Sequence, residues 1–571
     1  MAGAAGSVLC QQDRPQDSPG LRLQPMNANA ADSGYTLPEY PFVPPPDLNA
    51  GVPRRYPVVI VGAGLAGLTL AADLSLRGVS CVVLDEDNTV GVRGASSRGI
   101  VYVQRTLEIM QRLGIFERIR AKGVTWSSGK ILAGDEVLYE YDYQPSSVSE
   151  QPPFINLQQF YLEWFLVDRI LELGRAELRW KNRVTGVENH ADHVRLTVET
   201  PAGSYVLEAD WVIAADGVNS SIRNLLALPE ATERGQDRWC ITDVRFRRKP
   251  LNQRWTWVEA PFNENRAVWQ HLMADDVWRL DFQMAPDADP AHVSREDVAR
   301  ERVARMLGPD TEFELVWVGP YSYRTMLMER FRHDRLMFIG DAAHAKSPFG
   351  ARGGNSGIQD ADNLGWRLAL VLAGRAPAAL LEHFDIERHR AAQENISVTS
   401  RSGRFLQPRS PAEFGLRRAV LNLARHHAFA RSLLNTGRLC APHHYGGLRT
   451  VGSQARDGQA VANVALRREG RSIHLLDLLR EADDHLLALV IGAPRDDAAL
   501  VQALRGGALP VRLLLEGRDF VDSEGLLAAQ TGTARGGVAL VRPDSHLAAS
   551  LPTCEPGALL DAVRRTLGLP S

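Results

Sequence analysis

The spacing of apolar positions divides the chain into stretches of different character. Up to about residue 55, Pro, Gly, Asn, Gln and Asp dominate and the segment ends in PFVPPPDLNAGVPRR, with no apolar period that could build a core. The expectation is a mostly disordered leader over residues 1–55, with Met26 a second candidate start. From residue 57 the pattern changes to PVVIVGAGLAGLTLAADLSLRGVSCVVLDED, an apolar β-branched run, a glycine turn, a helical stretch and a second run. That order predicts a parallel βαβ unit. Helix and strand patterns alternate to about 225, and aromatic-rich strands such as WTWVEA, AVWQHLMA and DVWRLDFQM follow between 237 and 285. The strand RLMFIG then leads into GDAAHAKSPFGARGGNSGIQDADNLGWRLA, a glycine-rich loop opening an amphipathic helix. In that helix Ile358, Ala361, Leu364, Gly365, Leu368 and Leu372 recur at helical spacing and mark a core face. Residues 376–445 read as helical, and beyond about 450 the strands LLALVIG, VRLLLE and GVALVRP alternate with helices as a new unit. No repeat recurs at a fixed period.

Composition narrows the class without naming a function. The 571 residues carry 65 basic and 68 acidic side chains and are 44% hydrophobic, the balance of an ordinary globular enzyme. Nothing in that balance argues for nucleic acid or an anionic membrane as partner. Cys10, Cys81, Cys240, Cys440 and Cys554 are scattered, without a CxxC pair or zinc-ligand spacing, so the expectation is a reduced, cytoplasmic protein without a structural metal. No secretion signal or transmembrane run is legible.

Gly62, Gly64 and Gly67 form a G-x-G-x-x-G turn between a strand and a helix, and Asp85 lies 23 residues beyond Gly62 at the end of the next strand. This is the spacing an ADP moiety needs: a tight turn, close backbone approach to the diphosphate, and a carboxylate for the ribose. It leaves FAD and NAD both open. Two distant stretches, WVIAADGVNSSIR and the GDAAH segment, are not needed by a plain dehydrogenase.

With GAGLAG, ADGVNSSIR and GDAAHAKSPFGARGGNSGIQDADN in order, the chain resembles the single-component FAD-dependent aromatic hydroxylases, in the branch of phenol hydroxylase and 3-(3-hydroxyphenyl)propionate hydroxylase. The resemblance spans about 56–400. It implies an α/β fold: a Rossmann-like FAD-binding domain with an interleaved β-sheet substrate domain, about 125–155 and 235–330, then a helical connector over 401–450. Residues 451–571 resemble a thioredoxin-like domain without its CxxC, which implies a structural or oligomerisation role; a homodimer is the assembly this suggests.

The resemblance also implies roles. Asp341 would bond a ribitol hydroxyl, and Pro348 with Gly353, Gly354 and Asn355 would bring a helix N-terminus against the flavin ring. Arg98 and Gln159 would contact the FAD diphosphate region, although Arg98 also reads as a surface ion pair. Asp216 and Arg223 would govern a turn and the approach of NADH or NADPH. His344 reads equally as a structural or a catalytic histidine.

Read as a hairpin with Ala274, Asp275 and Asp276 in its loop, AVWQHLMADDVWRLDFQM sets His271 opposite Arg279 and Trp269 opposite Asp281, all on one face. Trp278, Leu280, Phe282 and Met284 take the other face. Related hydroxylases carry Arg-x-Tyr on this strand, with the Tyr on the phenolic oxygen; here Asp281 replaces that Tyr. His271, Arg279 and Asp281 are therefore the candidate catalytic group, with His271 or Asp281 as the base, and a plain Arg279–Asp281 ion pair as the alternative. The implied reaction uses NAD(P)H and O2 to hydroxylate a phenol through a flavin hydroperoxide. A hydroxylase or epoxidase of a larger polyketide-like scaffold and a non-catalytic flavin-binding protein are the competing readings.

Overall fold

In the computed structural model, which describes residues 35–91, 99–142, 148–248, 252–434, 440–492, 502, 504 and 509–570, two large sheets meet along one long helix. The first sheet runs in the order Arg332–His333, Leu336–Phe338, Gly203–Ala214, Arg54–Val61, Cys81–Asp85 and Ala176–Trp180. Every pairing on that path is parallel except the first. Runs such as Val58–Val61 and Cys81–Leu84 are buried. That suits a parallel sheet with cover on both faces.

The second sheet places its strands in the order His344–Ala345, Phe313–Met328, Glu230–Phe246, Trp278–Met284, Arg266–Leu272, Arg254–Ala260, Ser128–Ala133 and Glu136–Asp142. Among the described residues no helix is long and apolar enough to cross a membrane.

The helix Arg352–Leu372 follows the segment that passes from the first sheet at Leu336–Phe338 to the second at His344–Ala345. It lies against the helix Leu65–Leu76, and small residues set how closely. A Cβ at Gly357 would press on Ala66 and Gly340, and one at Gly365 would strike the Asp73 carboxylate. On its far side Trp366 and Leu370 enter the core of the last unit beside Leu486, Val490 and Leu559. That unit carries a four-stranded sheet in the order Val511–Leu515, Leu486–Val490, Val538–Val541 and Leu547–Leu551, the first pair parallel and the others antiparallel.

Amphipathic spacing in this helix predicts a solvent-facing polar side, but the last unit and the helix Leu380–Leu406 cover it. Its polar residues are paired instead. Arg367 bonds Glu387 at 2.8 Å, and Arg542 bonds the same carboxylate at 2.8 Å while also pairing with Asp544. Arg105 meets Asp362 at 2.8 Å and the backbone carbonyl of Asp544 at 2.6 Å. Burial alone would raise the proton affinity of Glu387, yet Arg367 and Arg542 hold it well below the usual carboxylate range. Asp544 is likewise held low, mainly by Arg542 against the cost of burial.

The expected disordered leader does not extend to residue 55. From Tyr35 the chain is packed: Tyr35 accepts from Gln158 Nε2 at 2.9 Å, and the Tyr40 ring stacks on Trp180 at 4.6 Å. Asp47 accepts from Tyr56 at 2.8 Å and pairs with Arg179 at 2.9 Å. Isolated aromatic anchors and one buried ion pair hold this segment without any apolar period. Residues 1–34 lie outside the described residues.

Replacing Arg542 by Met leaves Glu387 and Asp544 short of a buried cation, a change that costs about 3–5 kcal/mol. A clear fall in the midpoint of thermal or urea unfolding is expected, and an unchanged midpoint would refute the role assigned to this network. Because both carboxylates are held low, their stabilisation is complete above roughly pH 4.3 and is lost as pH falls below that value. Unfolding midpoints measured from pH 6 down to pH 3 should show this loss in the native protein and a smaller loss in Arg542→Met, where Arg367 alone still holds Glu387 low.

Candidate functional site

A cavity of about 810 Å³ opens between the glycine loop that starts the long helix and one face of the second sheet. Its walls combine residues remote in sequence, among them Asp341, Lys346 and Gly353 from the loop and His271, Arg279 and Asp281 from the sheet.

The loop begins where the strand Leu336–Phe338 ends in a tight turn over Gly340–Ala342. Gly340 takes φ +59° there, a conformation natural to glycine. Asp341 is exposed toward the cavity, and Pro348, Gly353, Gly354 and Asn355 also line it. Ala351 precedes the helix with φ +54°, a strained value for alanine that the surrounding loop imposes. A Cβ on Gly353 would meet nothing within 4 Å, so the first turn of the helix presents bare backbone to open space. Its leading N–H groups have no partner within the helix and suit an anionic group.

Asn355 is buried at this wall. Its carboxamide donates to Val101 O at 2.8 Å and Ala351 O at 2.7 Å, and accepts from Val103 N at 3.1 Å and Thr106 Oγ1 at 2.6 Å. The side chain thus ties the helix start to the segment Val101–Thr106.

The G-x-G-x-x-G turn lies outside the cavity lining. Gly62 and Gly67 are packing glycines, since a Cβ on either would collide with backbone at Ala215 or Gly62. Gly64 differs: nothing lies within 4 Å of the place its Cβ would take. Asp85 Oδ2 accepts from Ala63 N at 2.6 Å, and burial pushes its carboxyl up to about 6. Open space beside Gly64 and Gly353, with a carboxylate between turn and second strand, fits an extended dinucleotide laid from the first sheet to the cavity.

Gln159 lines the cavity and donates to Glu163 at 2.8 Å. Asp216 accepts from Ser221 Oγ at 3.0 Å and Ile222 N at 3.1 Å, which orders the turn before the short helix Ser221–Leu225. Arg223 donates to Ala342 O at 2.7 Å and so braces the Gly340–Ala342 turn. Arg98 lies outside the described residues.

On the sheet wall the hairpin register sets His271 against Arg279 and Trp269 against Asp281. Asp275 and Asp276, with φ +62° and +57°, make the reversal. Arg279 Nε donates to Asp281 Oδ1 at 2.8 Å, while His271 Nε2 stands 3.7 Å from Asp281 Oδ2, beyond hydrogen-bonding distance. Burial, reinforced by Arg254 and Arg279, drives the His271 pKa well down, so its ring is neutral at physiological pH. Burial raises Asp281, and Arg279 opposes the rise. Aromatic rings flank this cluster: Trp239 stacks on Trp269 at 4.6 Å, and Phe349 from the loop meets Trp269 edge-on at 5.4 Å.

Sequence reading missed Arg254, Lys346 and Phe349 in the cavity wall. Phe349 and Lys346 lie inside the GDAAH segment, but nothing local shows which of its residues turn inward. His344 is structural: its Nε2 bonds Asp360 at 2.7 Å in the interior.

A family profile described as an FAD binding domain matches residues 55–399. The 12-dehydrotetracycline 5-monooxygenase/anhydrotetracycline 6-monooxygenase of Streptomyces rimosus subsp. rimosus is 29% identical over 533 residues, covering 90% of this chain and 100% of that protein. The 3-(3-hydroxy-phenyl)propionate/3-hydroxycinnamic acid hydroxylase of Mycolicibacterium gilvum is 28% identical over 368 residues, which are 64% of this chain and 63% of that one. Among solved structures, the OxyS anhydrotetracycline hydroxylase from Streptomyces rimosus superposes with a TM-score of 0.69 at 26% identity, over 90% of this chain and 100% of that one. The flavin-dependent monooxygenase PieE, solved with FAD and substrate, shares the fold with a TM-score of 0.77 at 22% identity, over 91% and 100% of the two chains. The profile takes in both the glycine turn and the loop at the cavity, and on that match the chain belongs to the FAD-binding-domain family, as an FAD-dependent aromatic hydroxylase with NAD(P)H as co-substrate.

Proposed function

We propose that the protein hydroxylates a multi-ring phenolic substrate, with Asp281 as the group that takes the phenolic proton. The observation that carries this reading is the cavity itself. A single space of about 810 Å³ contains both the bare helix start at Gly353 and the Arg279–Asp281 pair on an aromatic wall. That volume is in the upper part of the roughly 300–1,000 Å³ common to small-molecule sites. A relative named for tetracycline chemistry matches over 90% of the chain, whereas the hydroxyphenylpropionate hydroxylase match covers 64%. A flavin ring and a fused-ring substrate side by side would use the space that a single phenol leaves empty.

When bound, FAD supplies electron transfer from NAD(P)H and activation of O2. The chain's own tasks are to hold the ring, to ionise it and to keep water out. Trp239, Trp269 and Phe349 offer ring faces and edges for an aromatic plane. Burial makes Asp281 a stronger proton acceptor than a surface carboxylate, and the Arg279 Nε–H keeps it available as an anion. His271 stays neutral beside it and adds no competing charge. Removal of the phenolic proton makes the ring carbons ortho and para to the oxygen electron-rich, ready to accept an electrophilic oxygen atom. The C-terminal unit is read as a thioredoxin-like domain with a structural role; its parallel pair followed by two antiparallel strands supports that assignment.

Holoenzyme supplied with NADH or NADPH should form hydroxylated product from multi-ring phenols and oxidise the nicotinamide without product on single-ring phenols. Coupled turnover only with phenol, hydroxybenzoates or hydroxyphenylpropionates would overturn the substrate class.

Asp281→Asn should lower the rate of hydroxylation at pH 7 by about 100-fold or more, the scale of a lost general base. Its rate should climb as pH rises toward roughly 10, where phenols ionise unaided. The wild-type rate should instead fall as acid protonates Asp281. Full activity of the variant at pH 7 would place the base elsewhere.

A further inference from the structure

Lys346 is a buried cation whose place the hydroxylation scheme above does not explain. It is 6% exposed, yet it lines the cavity with Asp341 and Gly353. Its Nζ lies 2.9 Å from His344 Nδ1, and His344 Nε2 lies 2.7 Å from Asp360 Oδ2. Asp360 is fixed in turn: its Oδ1 accepts from Arg388 at 2.6 Å and its Oδ2 from Gly340 N at 2.9 Å. Burial would raise Asp360, but His344 and Arg388 hold it well below the usual carboxylate range.

This chain has one consistent proton arrangement. Anionic Asp360 accepts from Nε2–H, which leaves Nδ1 as a lone pair that accepts from the Lys346 ammonium. Burial and the nearby Lys346 keep His344 from taking a second proton. The ammonium spends one N–H on His344 and has two more to offer. A lysine buried with no carboxylate in direct contact is costly, and an apolar side chain would fill the same loop position at less cost. The fixed charges around it are Asp360, Asp341 and Arg388, with the Cys440 thiol also near. Asp360 is already matched by Arg388. Asp341 lies near enough to favour the ammonium but makes no ion pair with it among the described residues, so two Lys346 N–H groups remain available to something that enters the cavity.

We propose that Lys346 is held by the Asp360–His344 chain as an electrostatic residue that stabilises the negative charge the flavin ring acquires on reduction, alongside the helix start at Gly353–Asn355. The proposal rests on the placement of the flavin ring in this cavity and assumes nothing about the substrate. His344 acts through Lys346 as a positioning residue. Burial pushes the Lys346 ammonium down to about 8, with Asp360 and Asp341 opposing the fall. Negative charge arriving on the ring favours the ammonium, so reduction above about pH 8 should draw one additional proton onto Lys346.

The test is the reduction equilibrium of substrate-free holoenzyme against a reference dye, for the wild type, Lys346→Met and Lys346→Arg. Lys346→Met should shift the equilibrium toward oxidised flavin by about tenfold or more at pH 7. Its affinity for oxidised FAD should stay within about twofold of wild type, the scale of an uncharged contact. Lys346→Arg should stay near wild type. Followed against pH, the wild-type potential should fall more steeply above about pH 8 than the potential of Lys346→Met. An unchanged equilibrium in Lys346→Met, or an effect confined to substrate affinity, overturns the proposal. If Lys346→Met does not retain FAD, the wild-type pH dependence decides: steepening near pH 8 supports the assignment and a constant slope refutes it. Gly353→Val separates the two readings. If it binds FAD like wild type, the ring does not sit at this helix start; if it loses FAD while Lys346→Met reduces normally, only the Lys346 assignment fails.

Discussion

Buried charge along the helix Arg352–Leu372 is the constraint on which the rest of the structure depends. A helix that exposes bare backbone at its start must be held firmly elsewhere, because glycines at Gly353 and Gly354 contribute no side-chain packing there. Polar residues further along supply the hold. Asp360 fixes Arg388 and the Gly340 turn, Asp362 pairs with Arg105, and Arg367 joins Glu387. Each pair would be expensive if one partner were missing, so the segments that supply the partners cannot drift independently. The C-terminal unit enters this logic through Arg542 and Asp544, which complete the set around Glu387. It is needed for the electrostatic closure of the helix that faces the cavity, although none of its described residues lines that cavity.

The two ends of the GDAAH segment do different work for the same reason. Asp341 and Lys346 reach the cavity, while His344 between them points to the interior and Asp360. His344 and Lys346, two residues apart along this short strand and loop, fall on the same side, so the longer Lys346 chain lines the cavity while its Nζ meets His344 Nδ1. A single segment thereby links the first sheet, the second sheet and the helix start, since His344 and Ala345 pair with Leu327 and Met326. Motion of the sheet wall relative to the helix start would strain this connection directly.

Much of the architecture was legible in the sequence because it rests on local pattern. The βαβ start needs only two apolar runs and a glycine turn, and the hairpin register follows from period two and a short acidic loop. The glycine loop was legible through its motif. What escaped depends on partners far along the chain. The polar side of the helix Arg352–Leu372 has the spacing of a solvated face, and partners remote in number, among them Arg105, Arg542 and Asp544, help turn it into an interior. The packing of Tyr35 and Tyr40 escaped for the opposite reason: two rings in a Pro-rich stretch have no period to read, yet each finds a ring on the first domain. Asn355 was legible as part of the glycine loop, but the saturation of its carboxamide by Val101, Val103, Ala351 and Thr106 was not.

Lys346 shows how position and burial together carry information that residue type does not. On a surface, a lysine beside a histidine has little meaning, because both would be solvated and screened. Here the histidine is committed to Asp360 and the lysine is enclosed, so the direction of every proton in the chain follows from the fixed carboxylate. The opposite wall repeats the scheme with reversed sign. Arg279 fixes Asp281 as an anion near a neutral histidine, and burial raises that anion's appetite for a proton. One wall therefore holds a cation beside the helix start, where positive potential is already present, and the other holds a carboxylate on an aromatic face. Under the proposed roles, electrons arriving on one side and a proton leaving on the other are separated by the width of a single cavity, and each wall is charged in the sense that its half of the reaction requires.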